Sequence, residues 1–170
     1  MMKEKIHIRQ AKLQDLDAIE RIELENFSEE EAIEREILKD HIEKIQTTFL
    51  VAECQGQILG YLEGPVRPER YLIDSSFSEV EDLSQLEQGF ISITSLSIAK
   101  EAQGLGVGTL LLEAMKEIAL KDNRQGINLT CHDYLIPYYE KQGFTNEGRS
   151  ESQYAGEVWY NLVWENEKLD

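Results

Sequence analysis

The chain has 170 residues, 41% of them apolar, and a formal net charge of −16 at pH 7; this allows one domain with a real core and is too short for two of ordinary size. No run approaches the ~18 apolar residues of a membrane span, residues 1–5 lack the apolar stretch of an export signal, and so large an acidic surplus repels a polyphosphate backbone. A single domain over residues 1–170, located in the cytoplasm, with no membrane or nucleic-acid partner, is the expectation.

The predicted elements follow in chain order. Ile6–Arg9 alternates as a first strand. Leu13, Leu16, Ile19 and Ile22 recur every three residues and draw an apolar stripe along a helix, and Ile33, Ile37, His41 or Ile42, and Ile45 continue a helical period for a second. Between Asp15 and Glu36 ten carboxylates accompany two arginines, a negative region that suits a cationic small substrate. Thr48–Cys54 is β-branched and aromatic, residues 55–57 turn the chain, and Ile58–Glu63 returns as the second arm of an antiparallel hairpin ended by Gly64-Pro65. Residues 67–88 are polar, acidic and weakly periodic, a loop long enough to act as a lid on the substrate side.

Phe90–Ile98 predicts one long central strand. Leu110, Leu111, Ala114, Met115, Ile118 and Ala119 then form a helical face directly after a glycine-rich turn. Ile127–Cys131 gives a further strand, Leu135–Gln142 a short helix stopped by Gly143, and Val158–Trp164 a last strand. The order predicts a mixed α/β sheet covered by helices. Cys54 and Cys131 lack C-x-x-C or histidine-rich spacing and read as buried thiols, so neither a disulfide nor a metal site is expected.

Gln103-Gly104-Leu105-Gly106-Val107-Gly108 lies where strand gives way to helix, so bare N–H groups at a helix N-terminus can converge on a pyrophosphate. Glycines permit close approach and positive φ. Counting from Gly104 and Gly106 puts Thr109 where a dinucleotide fold needs its third glycine, and the lysine of a P-loop is missing.

What the segment does match is the pattern Q/R-x-x-G-x-G/A, through Gln103, Gly106 and Gly108. Tyr139, Gly143 and Phe144 match Y-x-x-x-G-F further on. Over nearly its whole length the chain resembles the GCN5-related N-acetyltransferases. More narrowly, Ile22-Glu23 through Phe27, Cys131 with Pro137-Tyr138-Tyr139, and Ala155-Gly156 with Trp159-Tyr160 are similar to the arylalkylamine (serotonin) N-acetyltransferase branch. The resemblance implies that family's fold, a central, mostly antiparallel twisted sheet of six to seven strands flanked by about four helices, and acetyl-CoA as the acetyl donor. It implies that Gln103, Gly104, Leu105, Gly106, Val107, Gly108 and Thr109 hold the phosphates, that Leu96, Ser97 and Ile98 line the pantetheine arm as an added strand would, and that Tyr139 gives a proton to the departing thiolate. Tyr138 is its packing neighbour.

Vertebrate members of that branch carry two histidines on the central strand where this chain has Ser92 and Thr94, whose hydroxyls can only order water. An alkylamine of pKa ~10.4 must lose a proton before it reacts, so a solvent-relayed deprotonation with an alkaline optimum is expected. Glu23, Phe27 and Glu63 are the expected acceptor-binding residues, Asp133 is a further carboxylate candidate, and His132 could approach the cleft; His7 and His41 lie in regions remote from the motifs. The expected acceptor is a small arylalkylamine-like or polyamine-like primary amine. A protein N-terminus or lysine as acceptor, a non-catalytic acetyl-CoA-binding module and a structural adaptor stay open, as does the choice between monomer and homodimer.

Overall fold

A computed structural model describes residues 5–169. In chain order the elements are β1 (His7–Gln10), α1 (Leu16–Asn26), α2 (Arg35–Lys44), β2 (Phe49–Cys54), β3 (Gln57–Glu63), β4 (Val66–Arg67), β5 (Phe90–Ser92), β6 (Ser95–Ile98), α3 (Val107–Lys121), β7 (Gly126–Cys131), α4 (Ile136–Lys141), β8 (Thr145–Arg149) and β9 (Tyr160–Glu165), joined by short 3-10 turns. They form two sheets, of four strands in the order β1-β2-β3-β6 and of five in the order β4-β5-β7-β9-β8. All pairings are antiparallel except β5 with β7.

The mixed α/β architecture and the four helices are as the sequence predicts. The strand count differs, because nine strands form among the described residues. β8, with the sequence TNEGR, is polar and mostly exposed, and β4 is two residues long, so neither carries an apolar alternation to read. The first helix also starts later than its apolar stripe, since Leu13–Asp15 is a 3-10 turn. The last strand starts at Tyr160, and just before it the Trp159 indole folds back to donate to the Tyr154 carbonyl at 2.8 Å.

The larger correction concerns Phe90–Ile98, which is two strands in two sheets. The amide of Ile93 donates to Asn128 of β7, and the next amide, Thr94, donates to Glu63 of β3, both at 2.8 Å. The facing run bends at the same level, so Glu63 pairs with Ser95 while Val66 pairs with Ile91. Gly64 makes the close crossing possible: a Cβ there would stand 2.0 Å from the Ser92 carbonyl oxygen.

Side-chain alternation distributes the faces of the first sheet. Ser97 and Ser95 point toward α1, where Ser97 Oγ meets Asn26 Nδ2 at 2.9 Å. Ile98 points the other way, toward Gly108 at the start of α3. One apolar core runs through both sheets, with Ile19 and Ile22 of α1, Leu38 of α2, Leu111 and Met115 of α3, and Ile127 of β7 fully buried.

The loop at 67–88 is held at its far end by Arg124, 3% exposed. Its guanidinium donates to the carbonyls of Ser84, Leu86 and Gln88. Charge-assisted bonds of this kind contribute about 1.5–3 kcal/mol each and act on one loop end. Arg124→Ala is therefore expected to lower stability by about 3 kcal/mol and to expose residues 67–88 to limited proteolysis; a denaturant midpoint equal to wild type, with an unchanged digestion pattern, would contradict this.

Candidate active site

Two cavities meet where the strands diverge. The first is an open groove of about 710 Å³ running from β6 along the glycine turn to α4, lined by Leu96, Ser97, Ile98, Gln103, Gly104 and Gly106, then Val107, Gly108, Thr109, Tyr138 and Tyr139. Gly106, the N-cap of α3, has φ +81° and supplies no side-chain cap; Gly104 has φ +84°. L side chains avoid this region at a cost of about 1–2 kcal/mol. The helix ladder begins with Leu110 N–H donating to Gly106 at 3.1 Å, so the amides of Val107, Gly108 and Thr109 have no acceptor one turn back. These amides and the positive end of a 15-residue helix are chemically suited to receive an anion. No Lys or Arg lines the groove among the described residues, which leaves the amides and the helix end as its principal attraction for phosphate.

The second property of the groove comes from register. Ala99 donates to Leu59 of β3 at 2.8 Å, and antiparallel ladder bonds alternate, so the backbone groups of Leu96 and Ile98 point away from β3. β7 has already diverged to pair with β5, which leaves that edge of β6 open. An extended amide-bearing chain can add there as a strand. Part of the edge is engaged: the Ile98 carbonyl accepts from Asn26 Nδ2 at 2.6 Å and from Gln103 Nε2 at 3.3 Å. Asn26, at the end of α1, thus joins the helix, the edge strand and the glycine turn.

The other cavity is a chamber of about 130 Å³ on the far side of Tyr139. Its floor includes Glu23, Ile93, Thr94, Ser95, Leu129 and Cys131, and its walls include Phe27, Phe77, His132, Tyr134, Tyr154 and Trp159. The aromatic walls interlock, with Phe77 stacked on Tyr154 at 4.1 Å and His132 on Trp159 at 4.2 Å between ring centroids. Tyr154 Oη donates to the Glu31 carbonyl at 3.0 Å, and His132 Nε2 lies 3.1 Å from the Glu31 carboxylate. The loop after α1 is thereby tied to the segment before β9. A carboxylate oxygen of Glu157 lies within 4.8 Å of the Glu31 carboxylate and of a His132 ring nitrogen.

Glu23, 1% exposed, is the buried carboxylate of the chamber. Its Oε1 accepts from the Tyr61 hydroxyl and from Ser95 Oγ at 3.0 Å, and its Oε2 from the Ile33 amide at 2.8 Å. Burial raises its pKa above the ordinary carboxylate value, and these three hydrogen bonds only partly offset that. Burial also lifts the Tyr139 hydroxyl well above the usual phenol range, with Cys131 and Tyr138 adding to it, so at neutral pH it is a proton donor. The Cys131 thiol is pushed up to about 12 by burial and by Asp133; a thiol that stays protonated makes a poor nucleophile, so an acyl-cysteine route gains no support.

The expected site residues fall into two groups. Ser97, Ile98, Gln103, Gly104 and Gly106–Thr109 share the groove; Glu23 and Thr94 share the chamber; Phe27, Leu96 and Tyr139 line both. Leu105 lines neither, and its side chain is 39% exposed. Ser92 and Glu63, both fully buried, also line neither cavity. Ser92 Oγ is buried without a hydrogen-bond partner, and Glu63 is turned toward His41 of α2; the water-ordering and acceptor-binding parts expected of them have no cavity surface to act through. Asp133 is exposed and outside both cavities. Tyr138 packs on the start of α3, its hydroxyl occupying the space that a Cβ on Gly108 would fill, 2.5 Å from it. Sequence reasoning passed over Asn26, Tyr61 and Ser95, which become legible only once α1 is laid on the sheet in register.

The groove fits the implied coenzyme, with converging free amides, two left-handed glycines and an open strand edge. Gly106→Ala is expected to cost about 1–2 kcal/mol of stability and to reduce the thermal stabilisation given by coenzyme A; an undiminished shift in melting temperature on adding the coenzyme would contradict the amide site.

Comparison with known proteins agrees with this geometry. The sequence profile of the acetyltransferase (GNAT) family matches residues 15–144. The chain is 29% identical over 142 residues to an N-alpha-acetyltransferase of Sulfurisphaera tokodaii, covering 81% of this chain and 78% of the relative. Its fold is similar to that of Ard1 from Thermoplasma volcanium, with a TM-score of 0.72 at 17% identity over 94% of this chain and 96% of that one. It is similar also to Arabidopsis thaliana Naa50 in complex with a bisubstrate analogue, with a TM-score of 0.73 at 15% identity over 95% and 99%. With the profile spanning most of the chain, the glycine turn lining the groove and Tyr139 lining both cavities, the protein belongs to the acetyltransferase (GNAT) family and is an N-acetyltransferase that uses acetyl-CoA.

Proposed function

We propose that the acceptor is the primary amine of a small molecule, of arylalkylamine or polyamine type, seated in the chamber beside Tyr139. The observation that carries this reading is the chamber's small size. Its volume of about 130 Å³ is well below the ~300 Å³ at which pockets for drug-sized ligands begin. An extended peptide needs a channel that continues outward, and the loop after α1 meets the segment before β9 through Tyr154 and Glu31. Aromatic walls around two carboxylates suit an ammonium on a short apolar body. The similarity to the arylalkylamine branch through Glu23, Phe27, Cys131 and Trp159 points the same way. Two buried free thiols are compatible with a reducing cytoplasm.

The roles of this chain's residues follow from that seating. Acetyl-CoA supplies the acetyl group as a thioester. The amides of Val107, Gly108 and Thr109 hold its phosphates, and the edge of β6 aligns its pantetheine arm, fixing the reactive end between Glu23 and Tyr139. Glu23 draws in the ammonium and takes its proton, directly or through water held at Ser95 and Thr94. A main-chain N–H on the open edge of β6 supports the charge that builds on the carbonyl oxygen. Tyr139 then protonates the sulfur that leaves.

A peptide N-terminus is the second reading, favoured by the similarity to the Sulfurisphaera tokodaii N-alpha-acetyltransferase. Thiol release with acetyl-CoA, measured across phenethylamine, tryptamine, diamines and short peptides with free N-termini, separates the two. A higher kcat/KM for the small amines is expected, and a higher value for the peptides would overturn the proposal. Tyr139→Phe is expected to lower kcat about a hundredfold while leaving acetyl-CoA affinity unchanged. Because Glu23 must be ionised to work and burial raises its pKa, kcat/KM should fall as pH drops through a value above the ordinary carboxylate range. Glu23→Gln should remove that limb, and a limb that persists in the variant would contradict Glu23 as the base.

A further inference from the structure

Behind the chamber lies a second layer of charge that the reaction as described leaves unused. His41 of α2 and Glu63 of β3 form an ion pair with both side chains fully buried. The remaining polar atom of each, His41 Nε2 and Glu63 Oε2, is buried without a hydrogen-bond partner. A buried ion pair contributes little net stability, and an apolar pair of like volume replaces it at small cost. Its presence next to another buried acid therefore needs a reason beyond packing.

We propose that His41 is a positioning residue for Glu23: its imidazolium cancels the charge of Glu63 and so lets the neighbouring carboxylate of Glu23 ionise inside the protein. The inference rests on the reading of Glu23 as the group that receives the amine's proton.

Register supports the placement. Glu63 and Ser95 are directly opposed across β3 and β6, and opposed residues of an antiparallel pair project from the same face. Tyr61, two residues before Glu63, shares that face. Tyr61 and Ser95 are the two side chains that hold Glu23 Oε1, and their hydroxyls lie 3.2 Å apart. The Glu63 carboxylate thus stands one residue behind the groups that grip Glu23, where two bare carboxylates in a dry interior would resist sharing ionisation. Its charge acts to raise both Glu23 and Tyr61.

The cation that offsets it is His41. Burial opposes a charge on this imidazole, but Glu63 outweighs burial and holds its pKa above the ordinary value. The other charges acting on it come from its own helix, Asp40 raising and Lys44 lowering, and both are solvent-facing at the ion pair they form. Arg124, also buried, is committed to the carbonyls at 84–88.

The test is the pH profile of kcat/KM for thiol release in four proteins: wild type, His41→Gln, Glu63→Gln and the double variant, with Glu23→Gln as the control that assigns the acid limb. His41→Gln leaves Glu63 uncompensated, so the limb should move to higher pH by about half a unit or more. Removing Glu63 as well should return it to the wild-type position, and Glu63→Gln alone should not raise it. A packing role predicts instead a lower rate at every pH with the limb in place, and that result overturns the proposal. If His41→Gln fails to fold, His41→Asn is read in the same way, and an upward shift in Glu63→Gln alone overturns the proposal without either. A limb that survives in Glu23→Gln contradicts the assignment of the base, and an unmoved limb that Glu23→Gln abolishes overturns the proposal while leaving Glu23 as the base.

Discussion

The architecture depends on one exchange of hydrogen-bond partner. Between Ile93 and Thr94 the chain passes from β7 to β3 in a single residue, and everything downstream of that step leaves β7 behind. A strand normally needs a neighbour on each side or a surface that protects its edge. Here the edge of β6 is left open inside the molecule, beside the start of α3, so the unpaired backbone groups and the free helix amides face one groove. Gly64 permits the crossing by carrying no side chain where the Ser92 carbonyl passes. The divergence also separates β6 from β7 enough to leave the chamber, whose floor is made from the last residues of β7 and the first of β6.

The second constraint is electrostatic. The protein is strongly acidic and the groove contains no Lys or Arg among its lining residues. Polyanion binding therefore rests on short-range, directional donors, which act over hydrogen-bond distances and are little affected by the distant surplus of negative charge. The same chain buries two carboxylates within one sheet face, Glu23 against hydroxyls and an amide, Glu63 against an imidazole. Their different partners give them different chemistry, although both read as strand- or helix-borne acids of equal standing in the sequence.

That contrast explains what was legible beforehand. The glycine turn and Tyr139 are local patterns, because the spacing of Gly106 and Gly108, or of Tyr139, Gly143 and Phe144, survives without knowing the fold. The two helices before β2 were visible in the period of their isoleucines. The break at Ile93–Thr94 was not, since FISITSLSI is uniformly strand-forming and only long-range pairing decides where its partner changes. Glu63 is one residue before Gly64-Pro65, and nothing in that neighbourhood says that its side chain turns toward α2. β8 stayed hidden because an exposed polar strand at a sheet edge has no apolar face to alternate. Tyr61 belongs to no motif of the sequence, and its hydroxyl acquires meaning only beside Glu23 of α1.

The most direct test of the divergent strand as a coenzyme site is amide hydrogen exchange with and without acetyl-CoA. Slowed exchange confined to Leu96, Ile98 and the amides of Val107, Gly108 and Thr109 is the predicted result, with β1 and β2 unaffected. Unchanged exchange at those amides under saturating acetyl-CoA, in protein that still releases thiol, would contradict it.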